Sequence, residues 1–417
     1  MMLADRSGDA MLPRQAKGAA RGDGRLTEPD ETAVALFSAY YPSHGGGMEL
    51  ACVHLADALA EVGIGVEWVS QAYGLVPAPD HDGPLKRYTP VQGTDIVYRL
   101  SGIPLPIPAP WALPAIARAI RRADVAIIAE ANFILSLIAF WIAKWHRRPV
   151  LLVQHVGEPA TVSKLARLVM RFSEAVLVRP MLRRANAVVC VSLVVARHFA
   201  DLSRPAFLTI EHGIDTDCFR PPVDEEERAS DRTAIGVGND RKLACFVGRL
   251  TKSKGIEIIA EVARLRPDWT FAIAGIGPVE PASWGLGNVI ALGLLDRAAV
   301  ARLYRISDVM VLPSPSESFS LVVREALASG CGVLCSPQIL ETDSGLAPYV
   351  ETAHIALNEA NETAIRVAAA LDRHKGRSGP LARDYIIDHC ATDAVNRRYV
   401  GLVERLASGH AGNDEWQ

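Results

Sequence analysis

Two successive doubly wound α/β domains facing one cleft are the architecture this sequence predicts, and three observations predict it. From about Ala33 onward, short runs of Val, Ile, Leu and Ala alternate with longer stretches of helical period. The alternation stops between Arg220 and Arg241 and then restarts. A length of 417 residues suits two or three domains rather than one.

In the first half, Ala35–Tyr41, Val66–Ser70, Asp124–Ala129, Val150–His155, Ala187–Ser192 and Phe207–Glu211 predict strands. Met48–Val62 predicts a helix with Leu50, Val53, Leu55, Ala58 and Leu59 on one broad side, and Lys164–Arg184 predicts another with a more basic opposite side. Pro221–Arg228 is rich in proline and charge and reads as a linker. The second half predicts strands at Leu243–Val247, Thr270–Ala274, Val289–Leu292, Val309–Leu312 and Gly332–Cys335. Helices are predicted at Lys254–Leu265, Ala298–Ile306 and Leu321–Ser329. The expected division is a loose polar tail over 1–30, a first domain over 31–220, a linker over 221–241 and a second domain over 242–380. C-terminal helices over 381–417 are expected to return to the first domain.

Composition narrows the function classes. Hydrophobic residues make up 49% and charged residues 22%, so a folded core is expected and wholesale disorder is not. With 44 Lys plus Arg against 47 Asp plus Glu, the chain carries no global footprint for nucleic acid, and any phosphate site must be local. Seven dispersed cysteines fit buried free thiols in a reducing compartment. Cys331 and Cys335 share a close spacing, but no second Cys or His pair lies nearby to complete a zinc set. The first thirty or so residues have no apolar core of a signal peptide. The most apolar stretch, Phe133–Ala143, falls short of the ~18 residues that span a bilayer. A cytoplasmic protein is expected.

In open parallel sheets, ligands bind beyond the carboxyl ends of the strands, where loops lead into helix N-termini. Three such loops carry chemistry. Tyr40–Glu49 holds Gly45, Gly46 and Gly47, whose backbone N–H groups could approach a phosphate; the residues alone leave a plain turn equally open. Cys245–Gly255 ends a strand at Gly248 and flanks the next turn with Arg249 and Lys254, cations suited to a diphosphate or to a solvated basic turn. Val311–Gly330 ends a strand in a Pro and Ser turn, places Glu317 in the loop and starts a helix near Phe319, with Glu325 further along it. A carboxylate at that depth can accept two hydrogen bonds from the paired hydroxyls of a ribose. Taken singly, either glutamate also reads as a solvated or helix-start acid.

The three loops together resemble the retaining glycosyltransferases of family four, which have the GT-B fold. The resemblance rests on Pro313, Ser314, Glu317 and Glu325 with Ala326, Ala328 and Gly330, and on Gly248, Arg249 and Leu250 with Lys254 and Gly255. It also rests on the interdomain element His212–Pro221, on Gly46, Gly47 and Glu49, and on the small-residue turn Ala274–Pro278. It runs from Ala33 to about Ala407, with the motifs in the family's order. Ser318 and Ser320 stand where the family usually has glycines.

The resemblance implies that Arg249 and Lys254 stabilise a nucleotide diphosphate as it leaves and that Glu317 contacts the donor sugar. Glu325 would hold the ribose, and Gly46 and Gly47 would close over the diphosphate. Gly248, Ser318, Phe319, Ser320 and Leu321 would complete the donor site. His155 matches a family histidine on the acceptor side; on its residues alone it also reads as a histidine satisfied at a strand end. Neither a metal nor another cofactor is expected, because the Asp215 and Asp217 pair belongs to the interdomain element. The expected partners are a UDP-sugar or GDP-sugar donor, a saccharide or lipid-linked acceptor, and no nucleic acid. The implied function is retaining glycosyl transfer in cell-envelope polysaccharide or glycolipid assembly. A sugar-nucleotide 2-epimerase of the same fold and a non-catalytic glycan-binding protein are the rival readings. On Lys164–Arg184, the spacing of Lys164, Arg167 and Arg171 gives one basic side, so the helix either packs on the sheet or docks peripherally at the inner face of a membrane.

Overall fold

The computed structural model describes residues 31–40, 47–71, 85–94, 96–97, 105–157, 171–202, 207–315, 317, 319–374 and 376–409. Fifteen strands are described: β1 Ala33–Ser38, β2 Gly65–Gln71, β3 Lys86–Val91, β4 Gly93–Thr94, β5 Ile107–Pro108, β6 Val125–Ala129, β7 Val150–Gln154, β8 Ala187–Cys190, β9 Leu208–Thr209, β10 Lys242–Val247, β11 Trp269–Ala274, β12 Val289–Gly293, β13 Val309–Leu312, β14 Gly332–Cys335 and β15 Glu351–Thr352. They form a seven-stranded sheet in the order β3-β2-β1-β6-β7-β8-β9, a six-stranded sheet in the order β12-β11-β10-β13-β14-β15, and a small β4-β5 ribbon. Both large sheets are parallel throughout.

Helices cover both faces of each sheet, so the central strands are buried on both sides and read as continuous apolar runs. The segments AVALFS of β1, VAIIA of β6 and VMVL of β13 are buried at every position. The edge strand β3, KRYTPV, is mostly half-buried and lacks that run, which is why the sequence does not announce it. The interdomain segment also holds a helix, Glu225–Ala234, without an apolar period. Asp224 caps it by accepting from the Glu227 N–H at 2.8 Å, three glutamates fill its first turn, and the buried Arg232 donates to the Ile306 carbonyl at 3.0 Å.

The strand order reverses between β1 and β6 in the first sheet and between β10 and β13 in the second. These switch points are where crevices open at the carboxyl ends of a doubly wound sheet. The chain crosses between domains twice, and the crossings lie side by side: the Ile214 N–H donates to Cys390 O at 2.7 Å and the Thr392 N–H to Ile214 O at 3.0 Å. Helix Thr392–Ala407 then packs on the first domain, placing Val395, Tyr399, Leu402, Val403 and Leu406 in its core. Two Rossmann-like domains facing one cleft make this the GT-B arrangement. All seven cysteines are free, and six of them are buried.

Candidate functional site

The loops at the carboxyl ends of the second sheet gather at its switch point, and glycine lets them approach. Gly255, at φ +72, packs so closely that a Cβ there would collide with the carbonyl oxygen of Pro313. Gly275, at φ +142, meets the carbonyl of Gly248 in the same way. The turns after β10, β11 and β13 are therefore locked together by backbone contact.

Lys254 ends the short turn Lys252–Lys254 and reaches across to the β13 loop. Its ammonium donates to both carboxylate oxygens of Glu317, at 2.6 and 2.8 Å. Arg249 is exposed, and no described side chain pairs with it. Helix Leu321–Ala328 begins at Ser320, whose buried hydroxyl has no hydrogen-bond partner among the described residues. Glu325 lies on this helix, and no described group hydrogen-bonds or ion-pairs with it. Burial pushes its carboxyl up to about 7, against a smaller opposing pull from Arg297. Arg297 in turn donates to His54 at 3.2 Å, lies 3.7 Å from Asp215 and covers the Phe219 ring at 5.3 Å.

The first domain meets these loops directly. A Cβ on Gly47 would lie 2.9 Å from Leu321 Cδ1, so the glycine-led helix Gly47–Glu61 abuts the start of the helix carrying Glu325. Phe319 packs against the core of the first domain. A column of rings joins the two sides. The His155 and His212 rings stack at 5.0 Å, the Phe319 ring meets His212 edge-on at 5.1 Å, and the guanidinium of Arg324 lies 3.9 Å over Phe319. Arg324 is fully buried, with long ion pairs of 3.4 Å to Glu211 and Asp343. Burial pushes His155 down to about 4, and burial followed by the charges of His155 and Arg324 pushes His212 well below its ordinary value, so both rings are neutral at pH 7. A small cavity of about 30 Å³ beneath them is lined by His155, His212, Glu211, His54 and apolar side chains of the first domain.

Glu130, which follows β6, is absent from the sequence-based set. It is buried, at φ +76, and every described donor to its carboxylate is an N–H. Oε2 takes the backbone N–H groups of His155 and Val156, each at 2.9 Å, and Oε1 takes Gln154 Nε2 at 2.6 Å together with Asn132. Glu130 thus ties the turn that carries His155 to the neighbouring strand. An acid immediately after the apolar run of β6 was the available sign. Neither Arg324 nor Arg297 carried one, since their importance lies in what they touch.

Of the residues expected at the site, Lys254 and Glu317 are brought into contact, as are Gly47 and Leu321. His155 reaches Phe319 through His212. Gly46 and Ser318 lie outside the described residues, as do Lys164 and Arg167. Asp215 is engaged within the interdomain element, accepting from the Asp217 and Cys218 N–H groups at 3.2 and 3.0 Å. Among the described residues no three His, Cys, Asp or Glu side chains converge as a metal site requires. No described helix is long and apolar enough to cross a membrane.

Two family models match the chain in succession: Glycosyltransferase Family 4 over residues 45–218, and Glycosyl transferases group 1 over residues 227–378. An uncharacterised glycosyltransferase of Methanocaldococcus jannaschii is 30% identical over 198 residues, which cover 45% of this chain and 49% of that protein. The chain thus spans about half the length of that curated relative. Among solved structures, sucrose-phosphate synthase from Thermosynechococcus elongatus superposes with a TM-score of 0.68 at 19% identity, over 91% of this chain and 100% of its own. The Anabaena HepE protein, in complex with UDP and glucose, superposes with a TM-score of 0.65 at 14% identity, over 90% and 100%.

Proposed function

We propose that this chain, a GT-B protein whose two domains match glycosyltransferase family models in turn, is a retaining glycosyltransferase that moves a sugar from a nucleotide-diphosphate donor to a saccharide or lipid-linked acceptor. The observation that carries the reading is the set of groups at the second switch point. Lys254 and exposed Arg249 stand beside the β13 loop, the Ser320 hydroxyl, without a partner among the described residues, lies at a helix start, and Glu325, likewise unpaired among them, lies behind it. Two cations and a helix N-terminus suit a diphosphate, and a half-buried carboxylate suits the ribose hydroxyls attached to it.

In the proposed reaction the bond between the anomeric carbon and the phosphate oxygen breaks, and a bond from that carbon to an acceptor oxygen forms on the same face of the sugar. The acceptor proton passes to the leaving phosphate. Arg249 and Lys254 stabilise the charge that grows on the diphosphate, so no protein nucleophile or metal is required. His155, neutral and backed by Glu130, fits a hydrogen-bonding role to the donor sugar better than that of a charged acid. The UDP and glucose bound by the Anabaena protein support a UDP-sugar as the first donor to test. We place the activity in cell-envelope polysaccharide or glycolipid assembly, at the cytoplasmic side. Peripheral membrane contact through Lys164–Arg184 is part of this proposal, and the exposure of Arg171, Phe172 and Val176 supports it.

The test is a donor screen with the purified protein, following nucleotide release from UDP- and GDP-sugars with and without glycan acceptors and assigning the product anomer by NMR. Release from one donor, with its anomeric configuration kept in the product, is the expected outcome. A protein that binds and cleaves none of them refutes the reading.

A further inference from the structure

Lys254 and Glu317 are both assigned to the donor, yet the two side chains pair with each other. We propose that Glu317 competes with the nucleotide diphosphate for Lys254 and thereby weakens the hold on the spent nucleotide. The inference rests on the donor-site reading given above.

An ammonium has three N–H donors, and two of those on Lys254 are directed at Glu317, at 2.6 and 2.8 Å. The side chains are only 24% and 12% exposed, so solvent screens this pair less than a surface pair. The pairing is fixed by the backbone. Gly255, next to Lys254, is pressed against Pro313, and Pro313 opens the loop that carries Glu317. The Lys254 N–H is itself held by Thr251 O at 3.0 Å. With the two turns held together at the backbone, the pair separates only by rotation of the side chains.

An incoming diphosphate therefore meets two cations in different states. Arg249 is exposed and unpaired among the described residues, whereas Lys254 is already neutralised. To gain Lys254 the phosphates must displace a carboxylate and then lie near its negative charge. The displaced Glu317 is left on the side where the donor sugar lies, free to contact it. Once the sugar has been transferred, that contact is gone, and Glu317 again competes for Lys254 and favours nucleotide release.

Calorimetric titration of UDP and of GDP into the full chain tests this, using wild type, Glu317→Gln, Glu317→Ala, Lys254→Met and the Glu317→Gln/Lys254→Met pair. Both Glu317 variants should bind the selected nucleotide about tenfold more tightly than wild type, the scale of releasing one partly shielded ion pair, while their turnover falls. Two substitutions at the position keep the test usable if one of them fails to fold. In the Lys254→Met background the Glu317→Gln change should improve affinity by well under tenfold, because only the direct repulsion between carboxylate and diphosphate is left to relieve, and a full tenfold gain there overturns competition through Lys254. Unchanged or weaker nucleotide binding in both Glu317 variants, with Lys254→Met still weakening it, overturns the competition and leaves the donor site intact. Nucleotide binding that is indifferent to Lys254→Met overturns the donor-site reading, and this proposal with it.

Discussion

If Glu325 holds the ribose as proposed, donor binding should depend on pH, by an amount that follows from the surroundings of this carboxyl. Burial raises the carboxyl from 4.5 to about 7, with Arg297 pulling the other way. A group with that pKa is roughly 10% ionised at pH 6 and roughly 90% at pH 8. Only the carboxylate accepts from both ribose hydroxyls, so affinity for UDP-glucose should rise about ninefold across that interval. The phosphodiester groups of UDP-glucose do not titrate there, and burial and Arg297 push His54 below its ordinary value; any slope from His54 would persist in Glu325→Gln. Glu325→Gln keeps one acceptor oxygen but cannot ionise. It should bind weakly and with an affinity that is flat in pH. Calorimetry at pH 6, 7 and 8 and constant ionic strength measures both proteins. Glu130, also raised to about 7, remains in the variant and serves as an internal control. A flat wild type, or a slope that survives Glu325→Gln, refutes the assignment of Glu325 to the ribose.

Stability should show the opposite trend. Glu130 and Glu325 both titrate higher when folded, so the stability they contribute is fully present below about 4.5 and is lost as pH rises through about 7. Urea midpoints of the unliganded protein should therefore fall from pH 5 to pH 8, and a rise refutes the sign. Arg249→Ala or Lys254→Ala should lower turnover by ~10²–10³, read from initial rates, and full activity in both would place the diphosphate elsewhere. Activity should survive EDTA; loss on chelation that Mn²⁺ or Mg²⁺ restores would call for carboxylate ligands instead. Glu130→Gln sets an amide N–H₂ against a shell made only of donors and should cost about 3 kcal/mol in chemical denaturation, and a neutral result would show that the His155 turn needs no acceptor there. Cosedimentation with anionic liposomes should fall with salt and with Arg171→Gln, and the absence of binding at low salt would leave the chain without a membrane contact.

The sequence by itself determined the alternation of buried strands and crossover helices, because parallel strands covered on both faces must be continuously apolar, as in β1, β6 and β13. It also marked the strand-end loops that meet at the second switch point, since glycine, cations and acids at strand ends are local features that need no fold to be seen. Where stability came from capping instead of apolar burial, as in Glu225–Ala234, the period was silent. Only the tertiary structure decided which of these groups meet. Lys254 and Glu317 are far apart in the chain and are joined because Gly255 lets one turn press on another. His155, His212, Phe319 and Arg324 form one column because two crossovers bring the domains together. Glu130 is a buried acid whose role appears only when its donors, supplied by its own turn and the neighbouring strand end, are seen around it. Spacing along a chain records what each turn offers, whereas pairing, burial and pKa depend on neighbours distant in sequence, and those are fixed only by packing.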